Sequence, residues 1–283
     1  MPPGVAFAMA GTLFLVSTPI GNLGDMSHRA VDVLSSAALI VAEDPRHSRR
    51  LLDHYGIATP VSSYHEHNEA RETPRLVDRL RKGESIALIS DAGTPLISDP
   101  GSRLVEAAVE AGVPVVPVPG ASSVMAALVA SGMALERFTF FGFLPRKGKE
   151  RSAAISDVIR SRWTAVLFEA GNRVAATLSA LAAAGGAERK AVVARELTKQ
   201  FEEFRRGTIS ELAAAFEEAA PRGEVVLVIS GAEEREVSAG ELLAAAQKAR
   251  GDGLSPRDVM EHLTQDLGAP RNLAYRIAHG SEE

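Results

Sequence analysis

Short apolar runs alternate with segments of helical periodicity through the first half of the chain. The apolar runs, which predict strands, cover residues 12–17, 38–42, 85–90 and 113–118; the helical segments cover residues 29–37, 101–111 and 122–131. Strands that alternate with helices indicate parallel strands joined by helical crossovers. The strand segments are apolar at nearly every position, which is expected where both faces of a sheet are covered.

The second half repeats this alternation and then changes character. Strands are predicted at residues 138–143, 163–168, 191–194 and 225–229, and helices at residues 174–184 and 209–220. Beyond residue 236 the pattern predicts helices alone, at residues 241–249, 256–267 and 273–278. We therefore predict two α/β domains, over residues 1–132 and 133–236, and a small helical C-terminal module over residues 237–283.

Composition excludes several classes of protein. The chain has no cysteine, which excludes disulfides, thiolate nucleophiles and cysteine-ligated zinc, and fits a reducing cytoplasm. Its net charge of −5 implies that any contact with RNA comes from local patches. Residues 8–10 (AMA) resemble a signal-peptidase site. However, no basic residue precedes them and Pro19 and Gly21 interrupt the apolar stretch, so we expect neither a signal peptide nor a membrane span.

Three turns rich in glycine and proline each follow a predicted strand, at residues 18–22, 90–95 and 119–123. The carboxyl ends of parallel strands line the crevice where ligands bind, and glycine lets backbone amides approach a ligand closely. Any one turn is explained as a plain loop, but three at strand ends favour a ligand site. Nearby residues have structural interpretations: Asp99 with Pro100 predicts an N-cap and first helical residue, and Gly112 predicts a helix stop.

Other motifs are weaker. No G-x-G-x-x-G follows the first strand, and residues 142–149 depart from a phosphate-binding loop in spacing, which disfavours hydride transfer and nucleotide hydrolysis. His65 and His67 lack a clear third ligand, so we predict no metal. His47 follows a strand and is a candidate acid or base, the alternative being a solvated helix start.

Basic residues concentrate in one stretch beside four phenylalanines. It comprises Arg137, Arg146, Lys147, Lys149 and Arg151. Composition alone fits equally well a strip that contacts phosphates and a solvated connection between domains.

Several longer motifs extend these observations. They are 16–23 (VSTPIGNL), 43–47 (EDPRH), 64–69 (YHEHNE), 90–101 (SDAGTPLISDPG), 119–123 (PGASS), 142–147 (GFLPRK) and 195–199 (RELTK). On these motifs the chain resembles the tetrapyrrole methylase superfamily and, within it, the 16S ribosomal RNA cytidine-2′-O-methyltransferases. The resemblance runs from about residue 12 to residue 231.

The resemblance implies an S-adenosylmethionine-dependent enzyme, usually a homodimer in the cytoplasm, whose donor lies in the cleft between two α/β domains. The implied substrate is 16S rRNA or the small ribosomal subunit, methylated on a cytidine ribose of the decoding region. Implied donor contacts are Ile20, Gly21, Asp91, Ala92, Gly93, Thr94, Ser122, Ser123, Glu169 and Leu197.

We further hypothesise that Asp44 or His47 accepts the proton of the ribose hydroxyl, because that weak acid gains from proton removal during attack. Arg46, Arg146, Lys147 and Lys149 are the predicted RNA contacts. The chain departs from the family pattern twice, with DPRH at residues 44–47 where the family has DTRH, and EAGNR at residues 169–173 where it has ESPHR. Two alternatives stay open: a small-molecule methylase of the same fold that acts on a tetrapyrrole, and a non-catalytic ribosome-assembly factor that binds RNA.

Overall fold

The computed structural model describes residues 11–219, 221, 223–232, 238–265 and 267–280. It divides into two compact units, residues 1–232 and residues 233–283. The signal-peptidase-like residues 8–10 and the predicted boundary at residue 236 lie outside the described residues. The first unit carries two five-stranded sheets.

The first sheet is built from strands that alternate with helices along the chain. In order the elements are β1 (Leu13–Val16), α1 (His28–Ser36), β2 (Leu39–Ala42), α2 (Pro45–His54), β3 (Val61–Ser63), α3 (Glu69–Arg81), β4 (Ile86–Ile89), α4 (Ser102–Glu110), β5 (Val115–Val118) and α5 (Ser123–Ser131). The strands lie in the order β3-β2-β4-β1-β5, and every pairing is parallel, as the apolar runs predict.

Both faces of this sheet are covered. Leu13 and Val41 belong to an apolar cluster with side chains of α3 and α4, whereas Val16 and Ile40 belong to a second cluster with side chains of α1 and α2. Successive strand residues point to opposite faces, so a strand covered on both sides must be apolar throughout. This is the physical reason for the uninterrupted apolar runs.

The second sheet is mixed. Its elements are β6 (Phe138–Phe143), α6 (Gly148–Arg160), β7 (Thr164–Ala170), α7 (Val174–Leu181), β8 (Lys190–Arg195), β9 (Glu203–Thr208), α8 (Ile209–Glu218) and β10 (Glu224–Ile229). The strand order is β6-β7-β10-β8-β9, and only β6 and β7 pair in parallel. Helices α6, α7 and α8 cover one face through a large apolar cluster.

Helix α5 covers the opposite face of the second sheet. Val124 and Leu128 of α5 share an apolar cluster with Val192 and Val226, which belong to β8 and β10. Arg206 of β9 reinforces this contact, because its guanidinium donates to the carbonyl oxygens of residues 130 (2.6 Å) and 131 (3.4 Å) at the end of α5. A helix that follows the first sheet along the chain therefore packs on the second. The predicted domain boundary at residue 132, directly after α5, stays a prediction.

The second unit contains α9 (Ala239–Gly251), α10 (Pro256–Gln265) and α11 (Arg271–His279), which enclose a core of their own that includes Leu242, Val259 and Ile277. The structure thus has helices in all three segments where the pattern predicts them. None of the helices described in either unit is long and apolar enough to cross a membrane.

Candidate active site

The three glycine- and proline-rich turns lie side by side, because they follow the neighbouring strands β4, β1 and β5. Thr18 and Gly93 exchange backbone hydrogen bonds of 2.9 and 3.0 Å. The Ser17 hydroxyl donates to Thr94 Oγ1 (3.3 Å), and the Thr94 hydroxyl donates to the carbonyl oxygen of Ala121 (3.3 Å). These bonds hold the three turns together as one surface.

A cavity of about 540 Å³ lies between this surface and the second sheet. The first half of the chain contributes Ile20, Glu43, Asp91, Ala92, Gly93, Thr94, Ile97, Ser98, Asp99, Ser122, Ser123 and Val124. The second half contributes Phe143, Phe168, Ala194, Arg195, Glu196, Leu197, Lys199, Glu224, Val225 and Val226. All but two of the predicted donor contacts, namely Gly21 and Glu169, line this cavity.

Gly21 lies where the first turn touches the loop that follows β8. A Cβ atom on Gly21 would stand 2.5 Å from Lys199 Cγ and 3.1 Å from the carbonyl oxygen of Leu197. A larger residue at position 21 would therefore have to push the Lys199 side chain aside and would press on the backbone at Leu197. The first turn and the loop after β8 thus pack closely at Gly21, at the junction of the two halves of the cavity wall.

Glu169 is buried and makes its polar contacts within the second half of the first unit. It is only 1% exposed, and its carboxylate accepts hydrogen bonds from the Thr177 hydroxyl (2.6 Å) and the backbone N–H of Ala170 (2.9 Å). Arg173 forms an ion pair with it at 3.4 Å. Its predicted contact with the donor stays a prediction.

The departure from the family pattern at residues 170–172 has a packing role. The backbone N–H of Gly171 donates to the carbonyl oxygen of Gly223 (2.7 Å), and a Cβ at residue 171 would stand 2.1 Å from the carbonyl oxygen of Pro221. A larger residue at position 171 would collide with that backbone. The glycine at this position is therefore matched to the chain that precedes β10.

Five carboxylates line the cavity, and one of them, Glu196, is paired with Lys199 of the same wall. Burial raises the pKa of Asp99 to about 6, and the negative charges of Glu43, Asp91 and Glu224 add to this effect, while a hydrogen bond from Ser90 opposes it. Burial and then the charge of Asp91 also raise the pKa of Glu43. Carboxylates crowded in this way favour a positively charged ligand, which relieves their mutual repulsion.

Asp99 reaches the cavity by an unusual backbone path. Leu96 and Ser98 have φ angles of 72° and 67°, and such left-handed conformations are uncommon for residues with a Cβ atom. The prediction that Asp99 caps the following helix is wrong, because Gly101, with φ of 134°, is the N-cap of α4. Non-glycine residues held in this region concentrate at functional sites. The predicted helix stop is confirmed, since Gly112 follows α4 with φ of 69°.

The predicted catalytic residues lie beside the cavity. Asp44 is the N-cap of α2: its Oδ1 accepts the backbone N–H of Arg46 (2.9 Å), and its carboxylate pairs with the Arg46 guanidinium at 3.1 Å. These hydrogen bonds from Arg46 lower the pKa of Asp44. His47 is exposed in the first turn of α2. The cavity wall includes neither residue but does include the preceding Glu43, so both catalytic roles stay predictions.

The basic stretch divides into two parts. Arg146, Lys147 and Lys149 are exposed and follow Phe143 of the cavity wall. Arg151 instead donates to the Thr177 hydroxyl (2.9 Å) and to the carbonyl oxygen of residue 145 (3.1 Å). Arg151 is thus a structural residue, and the Arg137 guanidinium lies over the Trp163 ring, 5.6 Å from its centre. Arg146, Lys147 and Lys149 are available to a partner.

The predicted histidine pair lies in the turn before α3, where the rings of His65 and His67 are 5.9 Å apart. The same turn is held by Asn68, whose side chain accepts from the backbone N–H of His65 (2.9 Å) and donates to the carbonyl oxygen of Ser63 (3.0 Å). Within the described ranges there is no group of three residues that could hold a metal ion.

Several residues of the cavity wall were not predicted from the sequence. Glu43, Asp99 and Glu224 are the principal ones on the charged side, and Phe143 packs against Phe168 with ring centroids 5.4 Å apart on the apolar side. Glu43, Asp99 and Phe143 lie inside the motifs named above, so the motifs were a signal for them. Glu224 begins an antiparallel strand, and no pattern in the sequence indicates its place beside the turns.

Residues 12–213 match the family model of the tetrapyrrole (corrin/porphyrin) methylases, and the chain belongs to this family. Among solved structures it is similar to a cobalt precorrin-4 methyltransferase, with a TM-score of 0.59, 19% identity, and coverage of 77% of this chain and 94% of that one. It is also similar to the uroporphyrin-III C-methyltransferase of Thermus thermophilus in complex with S-adenosyl homocysteine. That comparison has a TM-score of 0.55 and 16% identity, and covers 78% and 97% of the two chains. The predicted fold is confirmed.

Nearer relatives share most of the chain. The ribosomal RNA small subunit methyltransferase I of Synechocystis sp. is 45% identical over 271 residues, which cover 95% of this chain and 97% of the relative. The protein of the same name from Xylella fastidiosa is 45% identical over 270 residues, covering 94% and 98%. The resemblance inferred from the motifs is confirmed.

Proposed function

We propose that the protein is an S-adenosylmethionine-dependent methyltransferase that methylates the ribose 2′-oxygen of a cytidine in the decoding region of 16S rRNA. The observation that carries this proposal is the 45% identity to a ribosomal RNA small subunit methyltransferase I, which extends over 95% of this chain and 97% of the relative. The similarity therefore includes both sheets and most of the C-terminal unit.

The residues of the cavity fit the donor. A volume of about 540 Å³ is within the usual range for small-molecule sites. Gly93, with φ of 81°, has no side chain to separate its backbone from the cavity. A Cβ at this position would stand only 3.2 Å from Ile20 Cγ2. The hydroxyls of Ser122 and Ser123 supply hydrogen-bonding groups, and the carboxylates favour the positive charges of a sulfonium and an ammonium group.

When bound, the donor supplies an electrophilic methyl group on sulfur, and the chain's task is to align the acceptor oxygen with it. Removal of the hydroxyl proton assists the attack. Asp44 and His47 are the proposed proton acceptors at the edge of the cavity. Glu43 and Asp99 are the carboxylates within it that can take the same proton, and Arg46 with the exposed cations of residues 146–149 is proposed to hold phosphates.

We also propose that the protein acts in the cytoplasm as a homodimer, in line with the family resemblance. The dimer is supported by exposed apolar side chains one turn apart on α5, since Met125 is 49% and Val129 is 69% exposed. Side chains of this kind commonly become buried when subunits associate.

A second candidate, a methylase that acts on a tetrapyrrole, is favoured by the likeness to the uroporphyrin-III and cobalt precorrin-4 enzymes. That likeness is at 16–19% identity and concerns the fold. The alternative of a non-catalytic assembly factor draws its support from the altered segment at residues 169–173. Because Gly171 in that segment has a packing role, the alteration does not itself indicate lost catalysis.

The test is transfer of a radiolabelled methyl group from S-adenosylmethionine to small ribosomal subunits that lack the modification, followed by nucleotide mapping. Label on one cytidine 2′-oxygen of the decoding region is the expected result. Donor binding without transfer to subunits or free rRNA would overturn the rRNA proposal and favour a tetrapyrrole acceptor. A protein that binds RNA but not the donor would support the assembly-factor alternative.

A further inference from the structure

Helix α2 begins immediately beside the cavity and exposes a strongly basic face. Its chain enters from Glu43, which lines the cavity, and the backbone N–H of Asp44 donates to Asp91 Oδ1 (3.2 Å), which fixes the start of the helix to the second turn. The exposed residues of the helix are Arg46, His47, Arg49, Arg50, Asp53 and His54. Three arginines and two histidines thus share this face with one aspartate.

Arg49 and Arg50 have no role in holding the described structure together. Arg46 is bonded to Asp44, whereas neither Arg49 nor Arg50 makes an ion pair or a side-chain hydrogen bond within the described part of the chain. Both are exposed in the middle of α2, one turn beyond Arg46. Two adjacent guanidinium groups without partners are suited to bidentate contacts with phosphate oxygens.

The charge distribution separates the mouth of the cavity from its interior. The α2 face lies on the side of the first sheet, and the exposed cations of residues 146–149 follow Phe143 on the side of the second sheet. The interior carries the carboxylates of Glu43, Asp91, Asp99 and Glu224, and the two cations of its wall are already paired, Lys199 with Glu196 and Arg195 with Glu203. A polyanion is therefore attracted to both sides of the mouth and repelled from the interior, so that an uncharged sugar or base can enter while its phosphates stay outside.

We propose that Arg49 and Arg50, together with Arg46, form an RNA-docking surface on α2 that holds the phosphates flanking the target nucleotide. This inference rests on the proposed function, since the occupant is the backbone of the RNA that is methylated. Phosphate contacts position a nucleic acid without reading its sequence, so the surface sets which nucleotide reaches the cavity but not its base identity.

The test compares two double variants that each remove two positive charges from exposed helix positions, at opposite ends of the first sheet. In the first, Arg49→Gln and Arg50→Gln neutralise the docking surface. In the control, Arg81→Gln and Lys82→Gln neutralise two exposed cations at the end of α3, just before β4 starts. That position is at the opposite end of the parallel strands from the cavity.

The measurement is equilibrium binding of in-vitro-transcribed 16S rRNA at several potassium chloride concentrations, with the affinity for S-adenosylmethionine measured on the same preparations. Each lost phosphate contact flattens the plot of log affinity against log salt by about 0.7 for single-stranded RNA. The loss of two contacts therefore changes the slope by about 1.4. If the variant and the wild type bind equally at 1 M salt, the variant binds roughly 25-fold more weakly at 0.1 M salt. The control is expected to keep the wild-type slope, and both variants to keep donor affinity.

The outcomes separate this inference from the proposed function. An Arg49/Arg50 variant with wild-type slope and affinity overturns the docking surface, as does an equal loss in the control or a wild-type protein that does not bind the RNA. Methyl transfer to small subunits by the wild-type protein, measured in parallel, decides the proposed function. A protein that needs Arg49 and Arg50 to bind RNA but transfers no methyl group would support the docking surface and overturn only the methylation.

Discussion

Replacing Asp99 by asparagine removes a partly buried negative charge from a cavity that holds four other carboxylates, and we expect the variant to be more stable than the wild type at neutral pH. The pKa of Asp99 rises from an ordinary 3.8 to about 6, chiefly through burial. Because the raised pKa means that the folded state prefers the protonated form, ionisation of Asp99 costs stability. This cost is absent at low pH, grows as the pH rises from about 4 to 6, and is constant above.

The magnitude follows from the same values. A pKa difference of about two units between the folded and unfolded states corresponds to roughly 3 kcal/mol in the free energy of unfolding, at about 1.4 kcal/mol for each unit. Asp99 keeps partial exposure to solvent, which screens its charge, so we expect a gain of about 1–2 kcal/mol for Asp99→Asn at pH 7.5. The gain should be close to zero at pH 4.

Urea unfolding at pH 7.5 and pH 4 measures this difference. The single tryptophan, Trp163, directly precedes β7, so its fluorescence reports on the unit that contains the cavity. We expect the midpoint at pH 7.5 to rise by roughly half a molar, with an unchanged slope. Asp53→Asn, at an exposed aspartate of α2, is the matched control and should change the stability by less than about 0.5 kcal/mol.

Two results would refute the reasoning: an Asp99→Asn protein no more stable than the wild type at pH 7.5, or an equal gain at both pH values. The same variant also tests the binding role of the carboxylate. If Asp99 attracts the sulfonium, its loss should weaken S-adenosylmethionine more than S-adenosylhomocysteine, which lacks that charge, as measured by calorimetric titration.

Three further predictions concern residues beside the cavity. If Asp44 or His47 accepts the proton, its replacement by alanine lowers the methyl-transfer kcat by about 100-fold or more; near-normal turnover of both variants contradicts the assignment. Gly93→Ala and Gly112→Ala both place a methyl group at positive φ and should each cost about 1 kcal/mol, but only Gly93→Ala should weaken donor binding in titrations. Glu169→Gln breaks a buried ion pair and should destabilise the protein by about 2 kcal/mol, lowering Tm by roughly 4–8 °C. An unchanged Tm with weakened donor binding would instead support its predicted donor contact.

The first sheet could be predicted because one physical requirement governs its strands. Burial on both faces makes β1, β2 and β4 apolar throughout, and parallel pairing then brings the turns after neighbouring strands to one edge. The helix α3 was not predicted, since Pro74 inside it is a typical helix breaker. The edge strand β9 was not predicted either, because it is largely polar and includes two exposed arginines.

The site could be predicted only in part, for a different reason. The turn residues carry their signal locally in glycine and proline. The position of Asp99 depends instead on left-handed conformations at Leu96 and Ser98, which neither residue prefers by itself. The places of Phe143 and Glu224 in the cavity wall depend on how the mixed sheet faces the parallel sheet. Hydrophobic periodicity contains no information about that arrangement.

The packing of α5 on the second sheet has a consequence for how the protein loses its structure. A chain cut after residue 132 would retain Val124 and Leu128 but not the strands that cover them, and a chain begun there would leave that face of the second sheet bare. Neither half can therefore be expected to fold by itself. Heat or denaturant should unfold both sheets in one cooperative transition. A destabilising substitution in either sheet therefore lowers the fraction of molecules in which the cavity is intact.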